Sequence, residues 1–313
     1  MKVISRHERI QFMNIQWYPG HMTKAKRNIA NDVKLVDIVI EILDARAPLS
    51  TENPDIRKIT SGKKRLIILN KSDLADRNAT SAWISYFRKQ GASVIAMDSR
   101  TRNCLGLVKK AIEELTADKR ERDQKKGIIG ERAVKALVCG IPNVGKSTFI
   151  NSIAGKASAK TGDKPGVTKG NQWLTIGNLL LLDTPGVLWP KFDDETTGLH
   201  LAMIGAINDN IINTEELALE LISFLNKEYK AALMDRYGLD DETVNAELAG
   251  LDGTLMVKDN TALAELNLIA VRRGAVRKGA QPDYEKTARF VLDDFRSGKF
   301  GEVSLERPGS VNE

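Results

Sequence analysis

The stretch Gly140 to Thr148, "GIPNVGKST", constrains this chain more than any other. It fits G-x-x-x-x-G-K-[ST], follows the apolar run "VKALVC" and opens a helical pattern over 146–154. Strand, glycine-rich turn and helix in that order are the context in which the motif holds phosphates. The glycines let backbone N–H groups approach phosphate oxygens, and the helix N-terminus adds partial positive charge. Asn143, Val144, Gly145, Lys146, Ser147 and Thr148 are therefore candidate nucleotide-binding residues. Lys146 reaches for the β- and γ-phosphates, and the Ser147 hydroxyl is suited to Mg²⁺.

About 40 residues on, "LLLLDTPG" ends an apolar strand pattern in Asp183 and continues to Gly186. An Asp at that place suits the Mg²⁺ shell, through water, and the Gly186 N–H suits the γ-phosphate. Between the two motifs lies "KPGVTKG", where Thr168 either closes over the γ-phosphate and Mg²⁺ or belongs to a flexible basic loop. A nucleotide also needs its base read. "LIILNKSD" ends an apolar run in Asn70, Lys71 and Asp73, an N-K-x-D pattern. Guanine offers N1–H and N2–H₂ side by side, and one carboxylate accepts both; adenine presents a lone pair at N1 instead. Asp73 is the guanine reader, the Lys71 stem covers the base, and Asn70 ties this loop to the phosphate loop. Ser99, after "IAMD", either supports the guanine O6 edge through its backbone N–H or caps a helix.

The base reader thus precedes the phosphate loop, the reverse of the usual G-domain order. A parallel sheet tolerates this, because loops at its carboxyl edge converge wherever the termini lie. Strand patterns at 37–45, 65–70, 93–98, 134–140, 171–177 and 179–183 are short and rich in Ile, Val and Leu, as in strands buried on both faces. Helical patterns at 22–35, 79–90, 105–117 and 146–154 alternate with them. The charge run 117–127 is either the end of a helix or a surface connector, and the connector is the favoured reading. The expected fold class is α/β: a circularly permuted P-loop G domain, mostly parallel sheet with helices on both faces, followed by a small all-α domain. The boundaries drawn are 1–25 for an N-terminal segment carrying His21, 26–204 for the G domain and 205–313 for the helical tail. In that tail "TEELALELISFLNKEYKAALMDRYG" has Thr214 as its expected N-cap and Gly238 as its stop. His200 is expected in a helix packed on the sheet.

Charge divides along the chain. Residues 1–204 hold 34 Lys/Arg against 21 Asp/Glu, whereas residues 205–313 hold 13 against 20. The basic front suits a polyanionic partner, most simply nucleic acid, or is a solvated face. No apolar run reaches the length of a membrane span, and the polar start "MKVISRHERIQFMN" has no apolar signal core. Cys104 and Cys139 match no metal-ligand spacing. A cytoplasmic protein without disulfides or membrane association is expected, with a monomer favoured.

The stretches "NIQWYPGHMTKAKR", "DIVIEILDARAPLS", "NKSDLA", "GIPNVGKSTFIN", "DKPGVTKG" and "LLLLDTPGVLWPKF" together resemble the circularly permuted GTPases, most nearly the YlqF/RbgA family. "GAVRKGAQPDYEKTARFVLDDFRSGKFG" is similar to that family's helical tail. The resemblance implies GTP hydrolysis coupled to late assembly of the large ribosomal subunit, with stimulation by the particle, and an RNA- or ribosome-contacting tail. Arg272, Arg273, Arg277 and Lys278 are either part of that contact or a solvated helix face. A scaffold that binds GTP with negligible turnover, and a permuted GTPase of the small subunit, stand as alternatives.

Val187 and Leu188 follow D-x-x-G where many small GTPases carry a water-orienting Gln, so slow turnover in isolation is expected. The resemblance carries a catalytic role onto His21, whose near-neutral titration suits water orientation. Read alone, His21 fits equally as a surface cap of the helix that follows. Tyr18–Pro19–Gly20 reads as a turn able to move it. In related GTPases an Asn at the position of Asn143 supports K⁺ beside the nucleotide; the plain alternative is a loop hydrogen bond.

Overall fold

A computed structural model describes residues 19–101, 104–127, 132–154, 173–189, 192, 194–251 and 259–309, with backbone alone for residues 19–23. Among these residues the chain forms two compact units. One lies within Gln16–Pro190 together with Ser304–Glu313, and the other within Lys191–Val303.

The first unit holds a six-stranded sheet. Its strands in chain order are β1 (Ile38–Asp44), β2 (Lys64–Asn70), β3 (Ser93–Met97), β4 (Val134–Cys139), β5 (Trp173–Ile176) and β6 (Leu179–Asp183), and their spatial order is β3-β2-β1-β4-β6-β5. All pairs are parallel except the β5–β6 edge hairpin. Every residue of β1 is buried, as a central strand covered on both faces must be. The helices of this unit are α1 (Pro19–Asp32), α2 (Pro48–Thr51), α3 (Pro54–Ile59), α4 (Arg77–Lys89), α5 (Cys104–Leu115), α6 (Ala117–Lys125) and α7 (Lys146–Ala154).

On one face of the sheet, Ile29 of α1, Val33 just after it and Ile56 of α3 pack with Val39, Leu137, Cys139, Leu182 and Val187. Beside them, Trp83 and Phe87 of α4 pack on Leu43, Ile67, Leu69 and Val94. Alternation along the strands sends Ile40, Ile42, Ile68 and Val138 to the other face, where they are equally buried. Helices α5 and α7 pack on each other; α5 also meets β2 and β3, and α7 meets β5.

The chain runs from β1 outward to β2 and β3, then crosses to β4 on the other side of β1. Strand order therefore reverses between β1 and β4, and ligands of open parallel sheets bind at such a reversal.

The run 117–127 is not a connector. Residues Ala117–Lys125 form α6, with no buried residue. Its Arg, Lys, Glu and Gln are good helix formers, and it is pinned by charge. Lys119 meets Asp37 at 2.6 Å, Asp118 pairs with Lys64, and Arg122 reaches back to Asp118 at 3.2 Å.

The second unit is helical: α8 (Glu195–Met203), α9 (Thr214–Glu228), α10 (Lys230–Tyr237), α11 (Asp241–Gly250), α12 (Asn260–Arg272) and α13 (Tyr284–Arg296). Leu217, Leu221 and Leu225 of α9 are buried, as are Leu263, Leu266 and Ile269 of α12 and Val291, Leu292 and Phe295 of α13. Three expectations change here. Asn213, not Thr214, caps α9, its carboxamide oxygen accepting the Glu216 N–H at 3.2 Å. The helix also breaks at Tyr229, whose backbone leaves the helical region, before resuming to the left-handed stop at Gly238. His200 lies in α8, which packs on α9 and α13 within the helical unit rather than on the sheet.

Much of this unit's positive charge is used internally. Asp294 accepts from Arg236 at 2.7 and 2.8 Å, Tyr237 at 3.1 Å and Arg273 at 2.9 Å. Arg272 donates to the carbonyls of Tyr237 and Gly238 at the end of α10, and Arg277 pairs with Asp283 at 3.1 Å. Of the basic cluster near 272–278, the three arginines carry these pairings, and all four residues are exposed.

Candidate nucleotide-binding site

Strand register alone assembles most of the site. Asp44, Asn70 and Met97 are neighbours across β1, β2 and β3, and Val138 is opposite Asp183 across β4 and β6. The base-reading loops and the phosphate loop therefore emerge at one edge.

The phosphate loop runs from β4 into α7, whose first hydrogen bond joins the Phe149 N–H to the Gly145 carbonyl at 2.9 Å. Ser147 and Thr148 sit exposed in its first turn, and the Val144 side chain is buried beneath the loop. Asn143 adopts a left-handed backbone, φ 63°, a conformation Asn tolerates better than most residues. The Lys146 ammonium lies 3.1 Å from the Asp183 carboxylate and also donates to the Thr184 carbonyl. Thr184 is itself fixed, its hydroxyl donating to the Val138 carbonyl at 2.9 Å. Gly186 runs against the phosphate loop: a Cβ there would stand 3.0 Å from the Pro142 nitrogen. Any Cβ there would press on the backbone of Ile141 and Pro142, so glycine suits this close approach.

The base reader is wired into this loop. Asn70, almost fully buried, donates to the Val144 carbonyl at 2.7 Å, and its oxygen accepts the Ser99 N–H at 3.0 Å. A Cβ on Gly145 would overlap the Asn70 amide nitrogen, so the second glycine of the motif makes room for that bond. The Ser99 N–H is accordingly committed to Asn70; it locks the two base loops together instead of facing a base edge. Lys71, with φ 58°, donates to the Asn143 carbonyl at 2.8 Å and meets Asp44 at 2.9 Å. Asp73 pairs with Arg100 at 2.5 Å, and Arg100 is shared with Asp98 at 2.9 Å.

Two residues that sequence reasoning gave no role complete this wiring. Asp44 ends β1 fully buried and is held by Arg46, also buried, through contacts of 2.9 and 2.8 Å. Burial would raise the Asp44 carboxyl, but Arg46 and Lys71 outweigh it and hold the group well below the usual carboxylate range. The run "DARAPLS" was the available signal: an Asp and an Arg two residues apart, directly after an apolar strand whose one other charge is Glu41.

Pro19 and Gly20, read as a turn, instead open α1, and His21 lies in that helix's first turn. Its side chain lies outside the described part of the structure. Thr168 also lies outside the described residues.

The wiring makes phosphate binding and base recognition one unit, and its parts come in rotated chain order: the protein is a circularly permuted P-loop GTPase. Residues 135–253 match the family model of the 50S ribosome-binding GTPases, a match that begins at the phosphate-loop strand and leaves the upstream N-K-S-D outside. The Ribosome biogenesis GTPase A of Priestia megaterium is 42% identical over 302 residues, covering 96% of this chain and 99% of that protein. Its Thermotoga maritima counterpart is 31% identical over 300 residues, 95% of this chain and 96% of that one. The crystal structure of GNP-bound YlqF from T. maritima aligns with a TM-score of 0.61 at 27% identity, covering 92% of this chain and all of the other. The chain belongs to the ribosome biogenesis GTPase A family.

Proposed function

We propose that this GTPase acts in late assembly of the large ribosomal subunit and is switched on by the particle it checks. The near-complete match to proteins named Ribosome biogenesis GTPase A carries the reading. The basic balance of residues 1–204 supports a partner rich in RNA, and a cytoplasmic monomer is the simplest form of such a factor.

In this reading Lys146, the N-terminus of α7 and the Gly186 N–H bind the β- and γ-phosphates of GTP. Asp73 selects guanine, and Asn70 and Lys71 transmit its position to the phosphate loop. The donor set suits Mg²⁺: Asp183 sits beside Lys146, and the Ser147 hydroxyl opens α7, both hard oxygen donors. With Thr168, they would hold the ion, which supplies positive charge against the phosphate oxygens when bound. Val187 and Leu188 are buried and apolar, so neither can orient the attacking water. His21 takes that role, and the particle brings it to the phosphate. Two outcomes separate this from the alternatives. Immature large subunits raise turnover by at least tenfold, whereas small subunits leave it unchanged. Equal and negligible turnover with every particle would favour a scaffold.

Asn143 supports K⁺ beside the phosphates, supplying charge where an arginine finger would act. Hydrolysis in K⁺ buffer then runs several-fold faster than in Na⁺ buffer at equal ionic strength; identical rates would remove the assignment.

A further inference from the structure

The chain leaves the sheet unit near residue 190 and returns to it at Ser304. The returning strap bonds to both flanks of the base-reading loop. On one side, the Leu305 N–H donates to the Arg46 carbonyl at 2.8 Å. The Glu306 carboxylate, buried, accepts the N–H groups of Leu49 and Ser50 at 2.8 and 3.0 Å and the Ser50 hydroxyl. On the other side, the Ser304 hydroxyl accepts the Asp76 N–H at 3.1 Å, and Arg307 pairs with the Asp76 carboxylate at 3.1 Å. Asp76 in turn caps α4 by accepting the Ala79 N–H at 2.8 Å, three residues past Asp73. Trp83 of the same helix donates to the Glu306 carbonyl at 3.2 Å.

These anchors fall where guanine binding is decided. Arg46 holds Asp44, and Asp44 holds the Lys71 ammonium against the Asn143 carbonyl. The Asp44 N–H is fixed as well, donating to Thr51 at 3.1 Å in the helix that Glu306 caps. A buried carboxylate with three donors is an expensive group to leave unpaired, so the strap has one seat. Were it only a fastener for the chain end, any part of the unit's surface would serve. Instead it grips residues 46–50 and 76–83, and these enclose the N-K-S-D loop through Lys71 and Asp73.

We infer that Ser304–Arg307 is a positioning element for guanine recognition: Glu306 and Leu305 hold the Asp44–Arg46 pair that aims Lys71, and Ser304 and Arg307 hold the segment that follows Asp73. The inference rests on GTP binding by this chain, and wild-type protein in the same titration reports on that separately. Glu306 acts through Leu49 and Ser50, in the helix whose Thr51 accepts the Asp44 N–H, while Leu305 acts through Arg46.

The test is Glu306→Ala in the full chain, followed by stopped-flow dissociation of fluorescent GDP. Loss of one buried charge-assisted anchor predicts dissociation roughly tenfold faster. The KM for GTP rises in proportion, and kcat at saturating GTP stays within about twofold of wild type. A Glu306→Ala protein that melts earlier yet releases GDP at the wild-type rate overturns the inference, because the strap is then only structural. If Glu306→Ala does not fold, Ser304→Ala removes one oxygen atom, the hydroxyl that accepts the Asp76 N–H. GDP release from that variant faster than wild type supports the inference, and an unchanged rate overturns it.

Discussion

Asp73→Asn lowers affinity for GDP by roughly two to three orders of magnitude and gives the protein a preference for xanthine nucleotides. The carboxylate accepts from both N1–H and N2–H₂ of guanine. A carboxamide keeps one acceptor and turns a donor toward a donor, leaving a polar pair unmatched where water is excluded. Xanthine carries a carbonyl in place of the exocyclic amine, so the same carboxamide then finds a partner. The phosphate side is untouched, because Asn70 keeps its bonds to Val144 and Ser99, and Lys146 keeps its place beside Asp183. Arg100 keeps Asp98 when it loses Asp73. Competition of GDP, XDP and ADP against a fluorescent nucleotide measures the change. Undiminished guanine preference in the variant would mean that another group reads the base.

His21→Ala reduces particle-stimulated hydrolysis by about 100-fold or more, within the usual reach of a positioned acid–base group, and leaves the affinity for GTP near wild type. The expectation comes from what the switch segment lacks. Val187 and Leu188, directly after Gly186, are buried, and the Val187 carbonyl already accepts from Asn53 at 2.8 Å. Ile29 near the end of the helix carrying His21, and Val33 just after it, pack in the same apolar cluster as Val187. Helix and switch thus share a core, a physical route by which one can respond to the other. Single-turnover hydrolysis with and without immature large subunits separates the chemical step from binding. Full stimulation of the variant would return the catalytic role to the particle.

The sequence determined the chemistry of the site, because that chemistry is local. A phosphate loop needs its glycines, lysine and serine within nine residues, and a guanine reader needs Asn, Lys and Asp within four; both lie at the ends of apolar strands. Their rotated order was legible too, since a parallel sheet brings its carboxyl-end loops together in any chain order. Element types followed where periodicity was strong, as in β1, β2 and α4. Helix α6 was passed over for a connector because it buries nothing: it meets the rest of the unit through ion pairs such as Lys119–Asp37 and Lys64–Asp118, which periodicity does not register.

Only the tertiary structure decided how the parts are held. The role of Gly145 in admitting the Asn70 amide, and the loss of the Ser99 N–H to that same Asn70, depend on distances between loops about 75 and 29 residues apart. The seat of Glu306 on Ser50 joins residues 256 apart, and the bonds of Arg272 to the Tyr237 carbonyl and of Arg273 to Asp294 join residues 35 and 21 apart. A motif records which groups a ligand needs. Which of them are already spent on one another is fixed by contacts between distant segments, and no local pattern in the chain encodes those.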